Sequence, residues 1–203
     1  MSGHPGLDPG SSRSGCREAP RIETERLILR EFRKSDLDAH AATLGDEEVM
    51  RFIGGKPINR EDSWRRLMSG VGSWALNGMG PWAIERKSDG GMVGHCGFFQ
   101  FERDMSPSIA GEPEMGWIFD HSVHGQGIAF EACSAALQWA ERELGAPSYP
   151  AIIDLENIAS MKLAERLGFV RQSDAFYRDA PMGFFRRPGR LPPAAAAASA
   201  TTA

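Results

Sequence analysis

The amino-acid sequence predicts a single mixed α/β domain, a mostly antiparallel sheet with flanking helices. Three observations predict it. The 203 residues are 41% hydrophobic and 25% charged, an ordinary globular composition at one-domain length. A Gly-bearing gap of hairpin length separates neighbouring apolar segments, which calls for antiparallel pairing. Helical and strand patterns also fail to alternate along the chain, which argues against a doubly wound parallel sheet.

Composition excludes several classes. With 23 Lys+Arg against 27 Asp+Glu the formal charge is −4, so a basic nucleic-acid binder is a poor reading. No apolar run approaches the ~20 residues of a spanning helix, and the first residues lack the pattern of a signal peptide. The expectation is a cytoplasmic protein with no nucleic-acid or membrane partner. Cys16, Cys96 and Cys133 are odd in number and form no CxxC pair, which argues against a disulfide framework and a thiolate zinc site.

Residues 1–21 are rich in Gly, Ser and Pro and are expected to be a disordered tail, as is the Pro/Ala-rich stretch 189–203. The folded domain is then 22–188. Within it, 26–32 (RLILREF) reads as a first strand. Ser35, with Asp38 three residues on, predicts the start of a helix to about Leu44. Asn59 before Asp62 predicts a second, carrying Trp64, Leu67 and Met68. Segments 81–86 and 92–101 flank Lys87-Ser88-Asp89-Gly90-Gly91 and read as a hairpin. A strand over 114–120 leads through Gly125-Gln126-Gly127 into an amphipathic helix with Ile128, Ala132, Ala136, Trp139 and Ala140 at helical spacing. A strand at 151–155, a helix over 157–167 ended by Gly168, and a closing hairpin at 176–177 and 182–185 complete the order.

The strand, Gly125-Gln126-Gly127 and helix carry the chemical information. Glycines let backbone approach a ligand, and the free N–H groups opening a helix suit a phosphate. The same glycines also serve a tight corner with no ligand at all. Phe130 stands where a dinucleotide fingerprint needs Gly or Ala, and no Gly-Lys-Ser/Thr is present for a P-loop.

The stretch EMGWIFDHSVHGQGIAFEA (114–132), followed by ENIASMKLAERLGF (156–169), resembles the GNAT superfamily of acetyl-CoA-dependent N-acetyltransferases. The opening RLILREFRKSDLDAH and the ExGW strand before GQG resemble its RimJ/RimL branch of ribosomal-protein alanine N-acetyltransferases. The resemblance implies a GNAT-like fold and acetyl-CoA as co-substrate, with no metal. It implies that the backbone of Trp117, Ile118 and Phe119 pairs with the pantetheine arm, and that the turn of His124, Gly125, Gln126, Gly127, Ile128 and Ala129 holds the pyrophosphate. Asn157 would bond the pantetheine arm, with Ser160 near the thiol. Ser122 stands where the family commonly has Gln or Arg.

Acetyl transfer to an amine needs a base, an oxyanion partner and a proton for the leaving thiolate. Glu114 matches the family glutamate and is expected to act as base through water; the alternative is a solvated strand-end carboxylate beside Glu112. Ser160 and Tyr177 are the candidate proton donors, Ser160 favoured. Against these stand a helix-surface hydroxyl bonded to its own backbone and a hairpin aromatic packed on its neighbour. His121, His124 and Cys133 lack further ligands at metal spacing. Cys96 and His95 are adjacent in a strand and so face opposite ways. Trp82 is expected in the core, with Trp64 and Trp74 left open between core and acceptor pocket. The acceptor is a primary amine, either a protein N-terminus or a small molecule, and a homodimer is left open. The rival from another class is a catalytically silent acyl-CoA-binding sensor, which needs Gly125, Gly127 and Asn157 but neither Glu114 nor Ser160.

Overall fold

The computed structural model describes residues 18–189; Cys16 and most of both expected tails lie outside them. Two five-stranded sheets are built from β1 (Ile22–Glu23), β2 (Leu27–Arg30), β3 (Pro81–Arg86), β4 (Met92–Phe99), β5 (Met105–Ser106), β6 (Glu114–Phe119), β7 (Ser148–Asp154), β8 (Val170–Arg171), β9 (Ala175–Tyr177) and β10 (Ala180–Pro188). One sheet has the order β1-β2-β3-β4-β6 and the other β5-β9-β10-β7, with β8 beside β10; every pairing is antiparallel. The end strands β6 and β7 touch without a ladder between them. Each therefore keeps one edge of backbone groups free, and that seam positions the site.

The helices are α1 (Leu37–Gly45), α2 (Glu47–Met50), α3 (Arg60–Asn77), α4 (Ile128–Glu143) and α5 (Ile158–Arg166). None of them is long and apolar enough to cross a membrane. Asn59 caps α3 as expected, its side chain accepting the Asp62 N–H at 2.9 Å. The start expected at Ser35 is wrong in detail. Asp36 organises that corner instead: its carboxylate accepts the Arg33 N–H at 2.7 Å and grips Arg30 through two bonds of 2.8 Å. Arg30 also donates to Glu85 on β3 at 2.6 Å. These charges are largely buried, and the network ties β2, β3 and the start of α1 together.

The main core lies between the first sheet and α4. Trp74, Trp82 and Trp139 pack edge to face with centroids 4.6–5.3 Å apart. Trp82 and Trp74 are thus core residues, while Trp64 packs partly buried beside Phe32 and Leu67. The packed chain begins before Ile22: Ala19 is buried, and the Pro20 carbonyl accepts the Trp82 indole N–H at 2.8 Å. Cys96 faces this core beside Cys133, both as free buried thiols. It is fully rather than half buried. Its neighbour His95 points the other way, as the alternation of a strand requires.

Candidate active site

A cavity of about 820 Å³ opens along the β6–β7 seam. Its walls bring together Glu114, Trp117, Ile118, Asn157, Ser160 and Tyr177 from β6, α5 and β9. Phe119 turns its side chain into the core, and the turn from His124 to Ala129 lies outside the cavity walls, beyond the end of β6.

That turn leaves backbone donors free. Gly125 and Gly127 take φ of 73° and 75°, a region that penalises any Cβ. The His124 and Gln126 N–H groups are used within the turn, bonded to His121 and Val123 carbonyls. Among the described residues, the N–H groups of Gly125, Gly127, Ile128 and Ala129 find no acceptor. Four free donors at the positive end of a sixteen-residue helix fit a pyrophosphate. Ser122 does not reach out: its hydroxyl bonds Asp120 at 2.5 Å. Arg26, which the sequence did not single out, braces the turn. Its guanidinium donates to the Gln126 carbonyl at 2.9 Å and to Glu131 at 2.7 Å, and Thr24 holds Glu131 from the other side at 2.6 Å.

On the opposite wall, Asn157 caps α5 by accepting the Ser160 N–H at 3.0 Å through Oδ1. Its amide NH2 therefore stays available to the cavity. The Ser160 hydroxyl accepts the Trp117 indole N–H at 3.3 Å, so it is not bonded to its own backbone and keeps its own proton to give.

Glu114 is not a solvated strand end. It is 4% exposed, and Arg103 grips both its oxygens, at 2.6 and 3.0 Å. Burial pushes its carboxyl up from the usual range, against the pull of Arg103. Glu112 is separate and pairs with Arg186. Arg103 lies 4.6 Å from the Tyr177 ring centroid, and Arg178 lies 5.1 Å from it. Tyr177 is thus framed by two cations, one of them its hairpin neighbour Arg178. Arg103 comes from the β4–β5 connection, which no local pattern marks as functional.

The far end of the cavity was also unmarked in the sequence. Phe32, His40 and His95 meet there with centroids 5.3–5.9 Å apart. Burial, then the charge of Arg66, pulls His40 down to about 4. His95 is pulled to about 3 by burial, His40 and Arg66. Both rings are neutral at ordinary pH, and each holds a buried Nδ1 with no partner among the described residues. His121 and His124 stack at 5.2 Å, but His121 bonds Glu48 and His124 the Phe119 carbonyl. Among the described residues no group of three His, Cys, Asp or Glu side chains is placed to hold a metal.

Comparison with known proteins agrees with this geometry. The model of the acetyltransferase (GNAT) domain matches residues 26–170. The uncharacterised N-acetyltransferase YnaD of Bacillus subtilis is 25% identical over 166 residues, covering 82% of this chain and 86% of YnaD. A solved structure from Bordetella pertussis, named for the GnaT acetyltransferase family, superposes with a TM-score of 0.72 at 28% identity, over 83% of this chain and 99% of that one. RimL, a ribosomal L7/L12 α-N-protein acetyltransferase solved with coenzyme A, superposes at 0.68 over 84% of this chain and 98% of its own. It is 17% identical, a likeness of fold alone that leaves the branch open. The chain belongs to the GNAT acetyltransferase family and is an N-acetyltransferase.

Proposed function

We propose that the protein is a cytoplasmic enzyme that transfers acetyl directly from acetyl-CoA to a primary amine within a ternary complex. The observation that carries this reading is the continuity of the site. Unsatisfied N–H donors at Gly125, Gly127, Ile128 and Ala129 stand at the end of an open-edged strand, and that strand leads into a cavity holding Glu114, Ser160 and Tyr177. In this reading the turn holds the pyrophosphate, and the free edge at Trp117, Ile118 and Phe119 pairs with the amide-rich pantetheine arm as an added strand would. The free amide of Asn157 bonds the same arm.

Glu114 takes the amine proton through water. Arg103 keeps a buried carboxylate ionised enough to serve, and burial makes it a better base than a free one. Ser160 protonates the leaving thiolate: it accepts from Trp117 and has its own proton free. Tyr177 is the second candidate. The acceptor classes are a protein N-terminus, which the likeness of RLILREFRKSDLDAH and ExGW to the RimJ/RimL branch supports, and a small amine.

Initial-velocity kinetics of thiol release against varied acetyl-CoA and amine test this. Intersecting double-reciprocal lines are expected; parallel lines would mean an acyl-enzyme. Tight binding of acetyl-CoA with no thiol release across a broad amine panel would instead make the protein a sensor.

A further inference from the structure

Arg66 on α3 and Arg178 in the β9–β10 turn both line the cavity, and among the described residues neither forms an ion pair within 4.0 Å. Of the neighbouring carboxylates, two are engaged by other arginines. Asp62 pairs with Arg65, and Glu114 with Arg103. Asp154 lines the cavity at the end of β7, beside Asn157, where it accepts the Glu156 N–H at 2.8 Å. Arg178 also borders a second groove, which Glu102, Asp104 and Asp179 line with it. Burial pulls the Arg66 guanidinium below its usual range, Asp62 draws it back up, and the like charge of Arg178 adds to the lowering. The floor next to Arg66 is Phe32, His40 and His95, and the two rings are held neutral by burial. The carboxylate whose field reaches Arg66 is Asp62, which it shares with Arg65.

The chain as a whole carries −4, yet this cavity presents three arginines against two carboxylates; with Arg103 and Glu114 paired, Arg66 and Arg178 stand against Asp154, an excess of one positive charge. A polycation such as a polyamine or an aminoglycoside would meet like charge there. A planar carboxylate matches a guanidinium fork through two parallel N–H···O bonds. On these grounds we infer that the acceptor is an amine that bears its own carboxylate, of the amino-acid class, with Arg66 and Arg178 clamping the carboxylate and the amine directed toward Glu114. The inference rests on the acetyltransferase reading above and names the substrate class of that same site. The clamp binds and orients; it takes no part in the chemistry.

The test uses the full chain with acetyl-CoA and matched acceptor sets: a series of amino acids, their carboxamides, and the corresponding decarboxylated amines, with spermidine and a dipeptide whose C-terminus is amidated beside them. Calorimetric binding of acetyl-CoA is measured in parallel. The free acids are expected to show a kcat/KM about tenfold above their carboxamides, the size of one charge-assisted contact. Arg66→Gln and Arg178→Gln should each raise KM for the acids, leave kcat near the wild-type value, and leave acetyl-CoA affinity unchanged. The double variant Arg66→Glu/Arg178→Glu should reverse the preference toward the decarboxylated amines, a change that misfolding would not produce. Equal use of acid and carboxamide, preference for spermidine or the dipeptide, or no turnover of any acid overturns the inference. If acetyl-CoA still binds in those cases, the acetyltransferase reading stands without it. Failure of acetyl-CoA to bind overturns both.

Discussion

Arg103 holds Glu114 by two hydrogen bonds, 2.6 and 3.0 Å, inside the wall of the cavity. The pair sets the proton affinity of the one buried carboxylate at the reaction centre: burial raises it and the guanidinium lowers it. Replacing Arg103 by Gln removes only the lowering influence. The acidic limb of the kcat/KM profile should therefore move to higher pH, since Glu114 would stay protonated further up the scale. A profile that keeps its wild-type limb would mean that Glu114 does not serve as base.

In the proposed mechanism Glu114→Gln removes the base outright. Turnover should fall about 10²-fold near neutral pH and recover at high pH, where amines lose protons unaided. A loss of the same size at every pH points to another group.

Proton donation separates Ser160 from Tyr177. Ser160→Ala should lower kcat with little change in the KM for acetyl-CoA, because the proposed coenzyme contacts at Asn157 and the turn are untouched. Tyr177→Phe should have the smaller effect. The opposite order of losses would transfer the role to Tyr177, whose ring lies between Arg103 and Arg178.

Acid stability follows from the two buried histidines. Unfolded, each titrates near 6.5; folded, His40 lies at about 4 and His95 at about 3. Between those limits the unfolded chain binds more protons, so stability is full above about pH 6.5 and falls as pH drops toward 4 and then 3. For His40 the full effect is roughly 3 kcal/mol. Thermal unfolding of His40→Leu followed from pH 7 to pH 4 should show a shallower loss than the wild type; a parallel loss would contradict the account.

The buried Arg30–Asp36–Glu85 group makes a separate claim on stability. Asp36→Ala leaves a guanidinium without one of its partners and should cost about 3–5 kcal/mol, read as a lowered denaturation midpoint with an unchanged slope.

What was legible in the sequence was local. Asn59 and Asn157 announce helix starts because a cap bonds an N–H two or three residues on, and Gly125 and Gly127 announce a turn that tolerates no Cβ. Glu114, Trp117 and Ser160 were marked only by resemblance to the GNAT family, through the ExGW strand and the segment ENIASMKLAERLGF. What stayed hidden was made by tertiary contact. Asp36 outcompetes Ser35 as organiser of its corner because Arg30 and Glu85 converge on it from two strands. Arg103 reaches Glu114 from an irregular connection. His40 and His95 meet because α1 packs on β4, and Arg26 reaches the Gln126 carbonyl across the fold. None of these partners is readable from spacing.

The most direct measurement is calorimetric titration of coenzyme A into the full chain, the wild type beside Gly127→Glu and Arg26→Ala. A single binding event is expected in the wild type. It should be weakened about tenfold in Arg26→Ala, where the Gln126 carbonyl loses its brace, and lost in Gly127→Glu, which puts a side chain at φ 75° and a negative charge where phosphate should lie. No heat with the wild type, or an unaltered affinity in Gly127→Glu, would contradict the assignment of that helix mouth as the pyrophosphate site.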